Sequence, residues 1–355
     1  MLREALEAGG VEALLWLLGL RLGEPGPCMV AGSTVAEPLP VAAAAYSLYS
    51  SVNLNDPVTW RSVETLVEES QSVVSRYLGV WLRGYLPTSG CTEALIAALL
   101  YARETRGQGH VAAPPWSHAS VAKAARLLGL RVVWRGGWAE SARGAVAVVA
   151  TLGATDTGAL DPLGEALEAA VENDAVLVVD ACIGWLTRPA LLAEVLRRGA
   201  VAAIDYHKHF TPPGSGALLA ADEEPLRPLE EEAPYMPRGR QQGLLWTRSA
   251  AGAAAAAAAL HALGPRGLAE MAAHVMAVAE TLAGELRRRG VPVASRPWTN
   301  IVAFKATREA LERLRSRLGL VLYPSSLPGY ARFAAKWCHT RQLAVETAKL
   351  VAGEE

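Results

Sequence analysis

The fold of this chain is decided by residues 201–209, which read VAAIDYHKH, a short apolar run that passes directly into charged residues. Two similar apolar runs lie upstream, at 146–150 and 176–179. Such runs are typical of strands buried on both faces of a parallel sheet. Residues 162–173 and 189–199 lie between the runs, begin with proline and end at Asn or Gly, as helices do. This alternation predicts an α/β fold with a mostly parallel central sheet and right-handed crossovers.

The character of the chain changes after Thr247, where an Ala-rich helix and then a mixture of short strands and charged helices are predicted. We expect a small C-terminal α+β domain with its linking helix at 250–355 and a large α/β domain at 53–249. Residues 1–52 are expected to form a helical segment that packs on the body or on a dimer partner. Residues 223–240, rich in Glu, Pro and Arg, are predicted to form an exposed loop.

Composition and charge exclude several classes of protein. The chain has 355 residues, of which 51% are hydrophobic, enough for a large core. Its formal net charge of −1 creates no field that attracts nucleic acid or an anionic membrane. The Ala-rich run 250–259 is too short to span a bilayer. Acidic residues interrupt the apolar start of the chain, which argues against a signal peptide and favours a cytoplasmic enzyme without nucleic-acid or membrane partners.

The four cysteines are Cys28, Cys91, Cys182 and Cys338, and no two of them form a CxxC pair. Widely spaced single cysteines in a cytoplasmic protein predict reduced thiols, with neither a disulfide framework nor a metal site.

Four local signals fall where predicted strands end or predicted helices begin, which is where open α/β sheets bind ligands. Residues 88–93, reading TSGCTE, offer backbone N–H groups and a helix dipole to a phosphate. His118 precedes a second helix, and Asp180 and Lys208 each follow a buried strand. Each signal also has an ordinary interpretation, namely a helix cap, a surface or helix-capping histidine, a structural ion pair or a lysine that reaches solvent.

The four signals together require a ligand with a phosphate, an aromatic face, a ring nitrogen and a carbonyl carbon. A carboxylate at a buried strand end, such as Asp180, is costly unless it is paired, and it can hold a protonated ring nitrogen. A buried lysine amine, such as that of Lys208, is a nucleophile toward an aldehyde. Pyridoxal 5'-phosphate carries all four groups, and it is the cofactor that the sequence predicts.

With these motifs in place, nearly the whole chain resembles the fold-type-I pyridoxal-phosphate enzymes of the group II decarboxylase family. It is most like the family's archaeal L-tyrosine/L-aspartate decarboxylases. The resemblance implies a large domain of the aspartate-aminotransferase type and a homodimer with active sites at the subunit interface. The segments that carry it lie at 31–34, 53–57, 88–93, 118–125, 155–158, 179–181, 205–208, 233–235 and 247–249.

The resemblance implies a role for each matching residue. Lys208 would bind the cofactor covalently, Asp180 would pair with its pyridine nitrogen and His118 would stack on its ring. Thr155 would lie beside the ring, and the phosphate would be held by Gly90, Cys91, Thr92 and His207. Arg332 would bind a carboxylate of the amino-acid substrate, and Tyr235 would donate a proton to the substrate Cα.

The chain departs from the family pattern at five positions. Cys91 stands in place of a usual glycine, Tyr206 of a proline, Cys182 of an alanine and Trp246 of a glycine, and Gly243 stands where threonine is common. The implied reaction is α-decarboxylation of L-aspartate to β-alanine or of L-tyrosine to tyramine, with aspartate favoured. Two alternatives stay open: a carbon–carbon lyase of the sphingosine-phosphate lyase kind, and a catalytically impaired paralogue that only binds the cofactor.

Overall fold

A computed structural model of the chain describes residues 24–354. In these residues, seven strands form the central sheet: β1 (Gly84–Thr88), β2 (His110–Ala112), β3 (Val132–Val133), β4 (Ala145–Thr151), β5 (Val176–Asp180), β6 (Val201–Asp205) and β7 (Gly216–Ala220). Their order across the sheet is β1-β7-β6-β5-β4-β2-β3. Strands β2 to β6 are parallel to one another, and β7 is antiparallel to both β1 and β6. The predicted α/β fold is confirmed.

The three apolar runs of the sequence are the adjacent strands β4, β5 and β6, and every residue in them is buried. Their side chains alternate between two core clusters, for example Val148 and Val179 on one face and Val149 and Val178 on the other. The helices on these faces are α1 (Pro40–Leu48), α2 (Trp60–Leu78), α3 (Cys91–Arg106), α4 (Ala119–Leu127), α5 (Trp138–Ala142), α6 (Leu163–Glu172), α7 (Gly184–Thr187) and α8 (Pro189–Leu196). Burial on both faces is why these strands read as continuous apolar runs.

Residues 223–240 are not simply an exposed loop, as the sequence had predicted. They contain a 3-10 helix (Glu224–Leu229), the strand β8 (Glu230–Glu232) and the start of its antiparallel partner β9 (Arg240–Gln242). Leu226, Leu229 and Met236 are buried. The prediction failed because charged residues dominate the composition of the segment, and the few buried apolar residues were not recognised among them.

The C-terminal part begins with the long helix α9 (Ala251–Arg288), whose alanine run is buried as expected. The helix kinks at Gly264 and Pro265, where the backbone leaves helical geometry because proline cannot continue the hydrogen-bond ladder. The remaining elements are β10 (Ile301–Lys305), α10 (Arg308–Leu318), β11 (Tyr323–Pro324), β12 (Tyr330–Ala334) and α11 (Arg341–Ala352). Strands β10, β12 and β11 form an antiparallel sheet with its own core, as an α+β unit does.

Among residues 24–354, no helix is both long and apolar enough to cross a membrane. The cytoplasmic location stays a prediction, and so do the two domain boundaries. Most of the helical segment predicted at 1–52 lies outside the described residues. Its described part includes α1, which packs on α9.

The prediction of reduced cysteines is wrong. All four cysteines lie in the described residues and are paired, as Cys28–Cys338 and Cys91–Cys182. The partners are 310 and 91 residues apart in sequence. Because only the tertiary fold brings such positions together, spacing along the chain gave no sign of the pairing.

The Cys28–Cys338 disulfide fastens the segment that precedes α1 to the C-terminal domain. The Lys336 ammonium, which is almost fully buried, donates to the carbonyl oxygens of Pro27 and Val30. The His339 ring pairs with the Cys28 carbonyl at 2.7 Å. Burial lowers the pKa of Lys336 to about 8 and that of His339 to about 4. The disulfide therefore belongs to a buried, hydrogen-bonded junction.

We expect Cys28→Ser to lower the free energy of unfolding by about 2–5 kcal/mol, because the bond restricts a very long loop in the unfolded chain. Denaturant unfolding followed by circular dichroism measures the change. Cys338→Ser is the matched control and should cost about the same, and the double variant should cost no more than either. Full stability of Cys28→Ser under oxidising conditions would contradict this account.

Candidate active site

The parallel pairing of β4, β5 and β6 brings their carboxyl ends to one edge of the sheet. Thr151 lies opposite Asp180, and Asp180 lies opposite Ala203, two residues before Asp205. A cavity of about 250 Å³ opens at this edge. The described residues that line it are Thr34, Ser89, Gly90, Cys91, Thr92, Glu93, His118, Ser120, Gly153, Thr155, Asp180, Cys182, Ile183, Asp205, His207 and Lys208.

This cavity brings the four sequence signals together. All eight predicted cofactor-binding residues line it. Two predicted site residues do not line it. Tyr235 is 58% exposed and stacks loosely near Trp246, with ring centroids 6.4 Å apart. Arg332 lies beside the cavity, where it contacts the Thr155 carbonyl.

Lys208 follows β6 and lies at the cavity wall with most of its side chain buried. Its Nζ is 3.0 Å from Oδ2 of Asp205, a carboxylate that is 3% exposed. The other carboxylate oxygen of Asp205 accepts a hydrogen bond from the Cys91 backbone N–H at 2.7 Å. Asp205 therefore joins the lysine to the start of α3. It was not among the predicted site residues, although its place at the end of a buried strand, like that of Asp180, was a usable signal.

Asp180 ends β5 and is 6% exposed. Burial raises its pKa, and the charges of Lys208 and His118 oppose that rise. Its Oδ1 accepts a weak hydrogen bond from the Cys182 N–H at 3.4 Å. Among the described residues, no cation forms a salt bridge with it. A buried carboxylate that borders a cavity without an ion partner fits the N–H⁺ of a pyridinium ring, which would supply the missing charge.

The start of α3 is built for an anion. Gly90 precedes the helix at a φ of 141°, in a region that favours glycine, and a Cβ there would lie 3.0 Å from the Asp205 carboxylate. A helix of this length presents backbone N–H groups and the positive end of its dipole to the cavity. Since the N–H of Cys91 is already bonded to Asp205, Thr92 and the residues after it are better placed to donate to a phosphate.

Glu93, in the first turn of α3, would repel a phosphate if it were free. Instead, Oε2 accepts hydrogen bonds from the N–H and Oγ of Ser89, both at 2.6 Å, and Oε1 pairs with Arg248 at 3.1 Å. Arg248 also donates to the Pro87 carbonyl at 2.7 Å. Gly243 leaves room for this arginine, because a Cβ there would lie 2.7 Å from its guanidinium. The departure from threonine at 243 thus has a structural reason.

The histidines have different roles. The Nδ1 atom of His118 caps α4 by accepting the Ser120 N–H, so the ordinary helix-cap interpretation holds while the residue also lines the cavity. His207 lines the cavity and pairs with the Ser215 carbonyl at 3.0 Å. His209, two residues further along the chain, is buried against Trp185 with ring centroids 5.5 Å apart. Burial lowers its pKa to about 3, aided by the charge of Lys208.

Tyr206 stands where the family has proline, and the structure explains how it is accommodated. Its side chain is fully buried, packs edge-on against Trp185, and shares a 2.8 Å hydrogen bond with the hydroxyl of Tyr85. Burial raises its pKa well above the ordinary value for tyrosine. Tyr206 does not line the cavity, so this departure belongs to the core.

Cys91 and Cys182 meet in the wall of the cavity as a disulfide. Their sulfur atoms and the Asp180 carboxylate lie within 4.8 Å of one another. Because a disulfide sulfur is not a thiolate ligand, we assign no metal to this group.

One cavity at the carboxyl edge of the parallel sheet is lined by a lysine, a histidine, a helix start and a carboxylate that has no ion partner in the described chain. This arrangement defines a pyridoxal-phosphate enzyme of fold type I. No family model matches the chain. It is 32% identical over 289 residues to a protein of Methanothrix thermoacetophila named "probable L-tyrosine/L-aspartate decarboxylase", covering 76% of this chain and 75% of that one. It is 33% identical over 305 residues to a "probable L-aspartate decarboxylase" of Halobacterium salinarum, covering 79% and 85%. The chain belongs to the archaeal L-tyrosine/L-aspartate decarboxylase family.

Solved structures agree on the fold. Glutamate decarboxylase of Lactobacillus brevis superposes with a TM-score of 0.81 at 14% identity, over 96% of this chain and 91% of that one. The sphingosine-1-phosphate lyase of Burkholderia pseudomallei superposes with a TM-score of 0.78 at 22% identity, over 99% and 90%. At these identities the likeness establishes the fold and does not distinguish a decarboxylase from a carbon–carbon lyase.

The low pKa of His209 predicts how stability depends on pH. The unfolded chain takes up a proton at this residue near pH 6.5, and the folded chain does so only near pH 3. Stability should therefore fall as the pH decreases from 6.5, by roughly 3 kcal/mol at pH 4 from this residue. His209→Phe should reduce the loss, which thermal unfolding at a series of pH values measures. Because His339 titrates in the same sense, part of the slope should remain. An unchanged slope in His209→Phe would contradict the assignment.

Proposed function

We propose that this protein is a pyridoxal-phosphate-dependent α-decarboxylase of L-aspartate or L-tyrosine, with L-aspartate as the favoured substrate and β-alanine as its product. The observation that carries the proposal is the Lys208–Asp205 pair, in one cavity with the Asp180 carboxylate, which has no ion partner among residues 24–354. The relatives named above are decarboxylases by name. When bound, pyridoxal phosphate supplies an electron sink for the bond to the departing carboxylate.

The residues of this chain would bind the cofactor, orient it and neutralise its charges. Lys208 is the amine that attaches the cofactor, and the Asp205 carboxylate holds that amine at the cavity wall whenever it is free and charged. Asp180 would pair with the ring nitrogen of the cofactor and keep it protonated, because a nearby carboxylate favours the charged form. The start of α3 and His207 would hold the phosphate, and His118 and Thr155 would border the ring, since all of them line the cavity.

A second carboxylate on the substrate requires a cation, and Arg332 is the best placed. Arg248 is buried and engaged with Glu93, and Lys123 is exposed on the surface of α4. Arg332 donates from Nε to the Gly32 carbonyl and from Nη1 to Asp156, at 2.8 and 3.1 Å. These contacts hold the guanidinium beside Thr155, and no described residue accepts a hydrogen bond from Nη2, which can therefore donate to a ligand carboxylate.

The proposed homodimer rests on the apolar surface around the loop that follows β9. Leu245 and Trp246 are 55% and 45% exposed, next to Tyr235. Such neighbouring exposed apolar side chains are typical of a protein interface. In such a dimer, Tyr235 would lie near the cavity of the partner subunit, since it does not line the cavity of its own chain.

The carbon–carbon lyase is the second candidate, and it is favoured only by the fold shared with the Burkholderia enzyme. A phosphorylated substrate would need cations besides those that serve the cofactor phosphate. In the described part of the cavity lining, Lys208 and the two histidines are the groups that can carry positive charge. We therefore place the decarboxylase first.

The central test is cofactor binding and CO₂ release by the purified protein with each of the twenty amino acids. We expect aspartate to release CO₂ and to yield β-alanine, because Arg332 matches its second carboxylate. Lys208→Ala should abolish turnover and the visible absorbance that a lysine-bound cofactor gives. Binding without any amine product would instead support the impaired paralogue. Wild-type protein without cofactor absorbance, or unaffected activity in Lys208→Ala, would overturn the proposal.

Arg332→Gln should lower kcat/KM for aspartate roughly 100-fold, because a charge-assisted hydrogen bond to the substrate is lost. Tyrosine has no side-chain carboxylate, so any turnover of tyrosine should change far less. The control Asp156→Asn keeps Arg332 but removes its ion partner, and should retain aspartate turnover. An equal decrease of kcat/KM for both substrates in Arg332→Gln would mean that the arginine does not bind the side-chain carboxylate of aspartate.

A further inference from the structure

We propose that Cys91 and Cys182 form a redox-modification site that sets the affinity of the cavity for pyridoxal phosphate, high when they are joined and low when a dithiol has reduced them. The inference rests on the proposed function, since it concerns the same cofactor. The two residues are separate departures from the family pattern, and the structure shows that they meet.

The disulfide joins the two sides of the site. Cys91 is the first residue of α3, where the phosphate is expected, and Cys182 lies two residues after Asp180, where the pyridine nitrogen is expected. Their Cα atoms are 6.1 Å apart. The bond therefore fixes the distance between the elements that bind the two ends of the cofactor.

The backbone of each cysteine is also tied to one of the two carboxylates of the site. The Cys91 N–H donates to Asp205, which holds Lys208, and the Cys182 N–H donates to Asp180. Restraining the two cysteines restrains both carboxylates and the lysine. A site held in its binding geometry loses less conformational freedom when the ligand arrives, and this raises affinity.

The cavity is the route by which a reductant reaches the bond. Both side chains are buried, at 7% and 3% exposure, and both line the cavity. A bound cofactor would cover them. In contrast, the Cys28–Cys338 bond lies in the junction with the C-terminal domain and does not line this cavity, so it provides an internal comparison.

The chemistry is thiol–disulfide exchange with a small or protein dithiol. A thiolate of the dithiol attacks one sulfur and forms a mixed disulfide, and the second thiolate then displaces the cysteine. The cysteines gain two electrons and two protons and become thiols, while the dithiol becomes a disulfide. Reduction leaves two thiol groups beside the Asp180 carboxylate and frees the start of α3 from the segment that follows β5.

The experiment uses the Cys28→Ser/Cys338→Ser protein, in which the cavity pair is the remaining disulfide. Cofactor is titrated into oxidised and dithiothreitol-reduced protein, with binding followed by absorbance, and alkylation with mass spectrometry records the state of each cysteine. We expect the oxidised form to bind at least about tenfold more tightly. Cys91→Ala/Cys182→Ala should bind with the weaker affinity in both conditions. If the serine variant does not fold, the wild-type protein serves, with peptide mapping of each pair.

Linkage gives a second readout that is independent of turnover. If oxidation strengthens cofactor binding, the cofactor must stabilise the disulfide by the same factor. A tenfold effect corresponds to a reduction potential about 30 mV more negative for the cavity pair when cofactor is bound. Redox titration in dithiothreitol buffers, with and without pyridoxal phosphate, measures that shift.

The outcomes separate this proposal from the proposed function. Equal cofactor affinity in both redox states, or free thiols at both positions under oxidising conditions, would overturn the redox site and leave the decarboxylase untouched. Absence of cofactor binding in either state would overturn the proposed function itself. Tighter binding in the reduced state would also reject the proposal, because it would mean that the bond obstructs the cavity.

Discussion

The parallel pairing of β4, β5 and β6 is the constraint on which the site depends. The carboxyl ends of parallel strands lie at the same edge of a sheet. The polar residues that end the three apolar runs therefore lie near one another because of the strand pairing alone. Thr151 lies opposite Asp180, and Asp205 follows two residues after Ala203, the partner of Asp180. Apolar side chains on both faces hold the register, since a slip by one residue would exchange the two faces of every strand.

The electrostatics of the cavity follow from that alignment. Three carboxylates line it, and two of them have a cation within the described part of the chain: Glu93 pairs with Arg248, and Asp205 with Lys208. Asp180 is the exception, and burial raises its pKa. A buried carboxylate without a partner is unfavourable in the free protein and becomes favourable when a ligand brings positive charge. The cavity therefore favours a ligand with a positive charge at one end, beside Asp180, and a negative charge at the other, at the start of α3.

Sequence alone was sufficient for the three adjacent strands β4, β5 and β6 and for Asp180 and Lys208, which come at or after the ends of two of them. Burial on both faces leaves an apolar run, and a lysine or aspartate that interrupts such a run at its end is visible without a structure. This is why Asp180 and Lys208 could be predicted, and why Asp205 could have been. His118 was predicted through its position before a helix, and the structure adds that it also caps that helix.

The pairings between distant segments could not be predicted in the same way. The cysteine bonds, the Glu93–Arg248 pair and the Asp156–Arg332 pair join residues that only the crossover topology brings together. Periodicity records which face of an element is buried and carries no information on which residue lies opposite. Tyr235 illustrates the remaining gap, because it is exposed and does not line the cavity, so its role stays a prediction.

Both disulfides border polar parts of the structure, and Cys91 and Cys182 line the cavity while they also belong to an apolar core cluster. Apolar burial stabilises the strands and the long helix, but the cavity is lined by carboxylates, hydroxyls and glycines, whose contacts offer little hydrophobic free energy. The junction of residues 24–39 with the C-terminal domain is likewise held by polar groups, among them the buried ammonium of Lys336. A covalent bond at such a place constrains geometry without requiring apolar contact, and it acts largely through the unfolded chain. In the cavity it also fixes the distance between the groups that bind the two ends of the cofactor, so the same bond that stabilises the fold sets the geometry of the site.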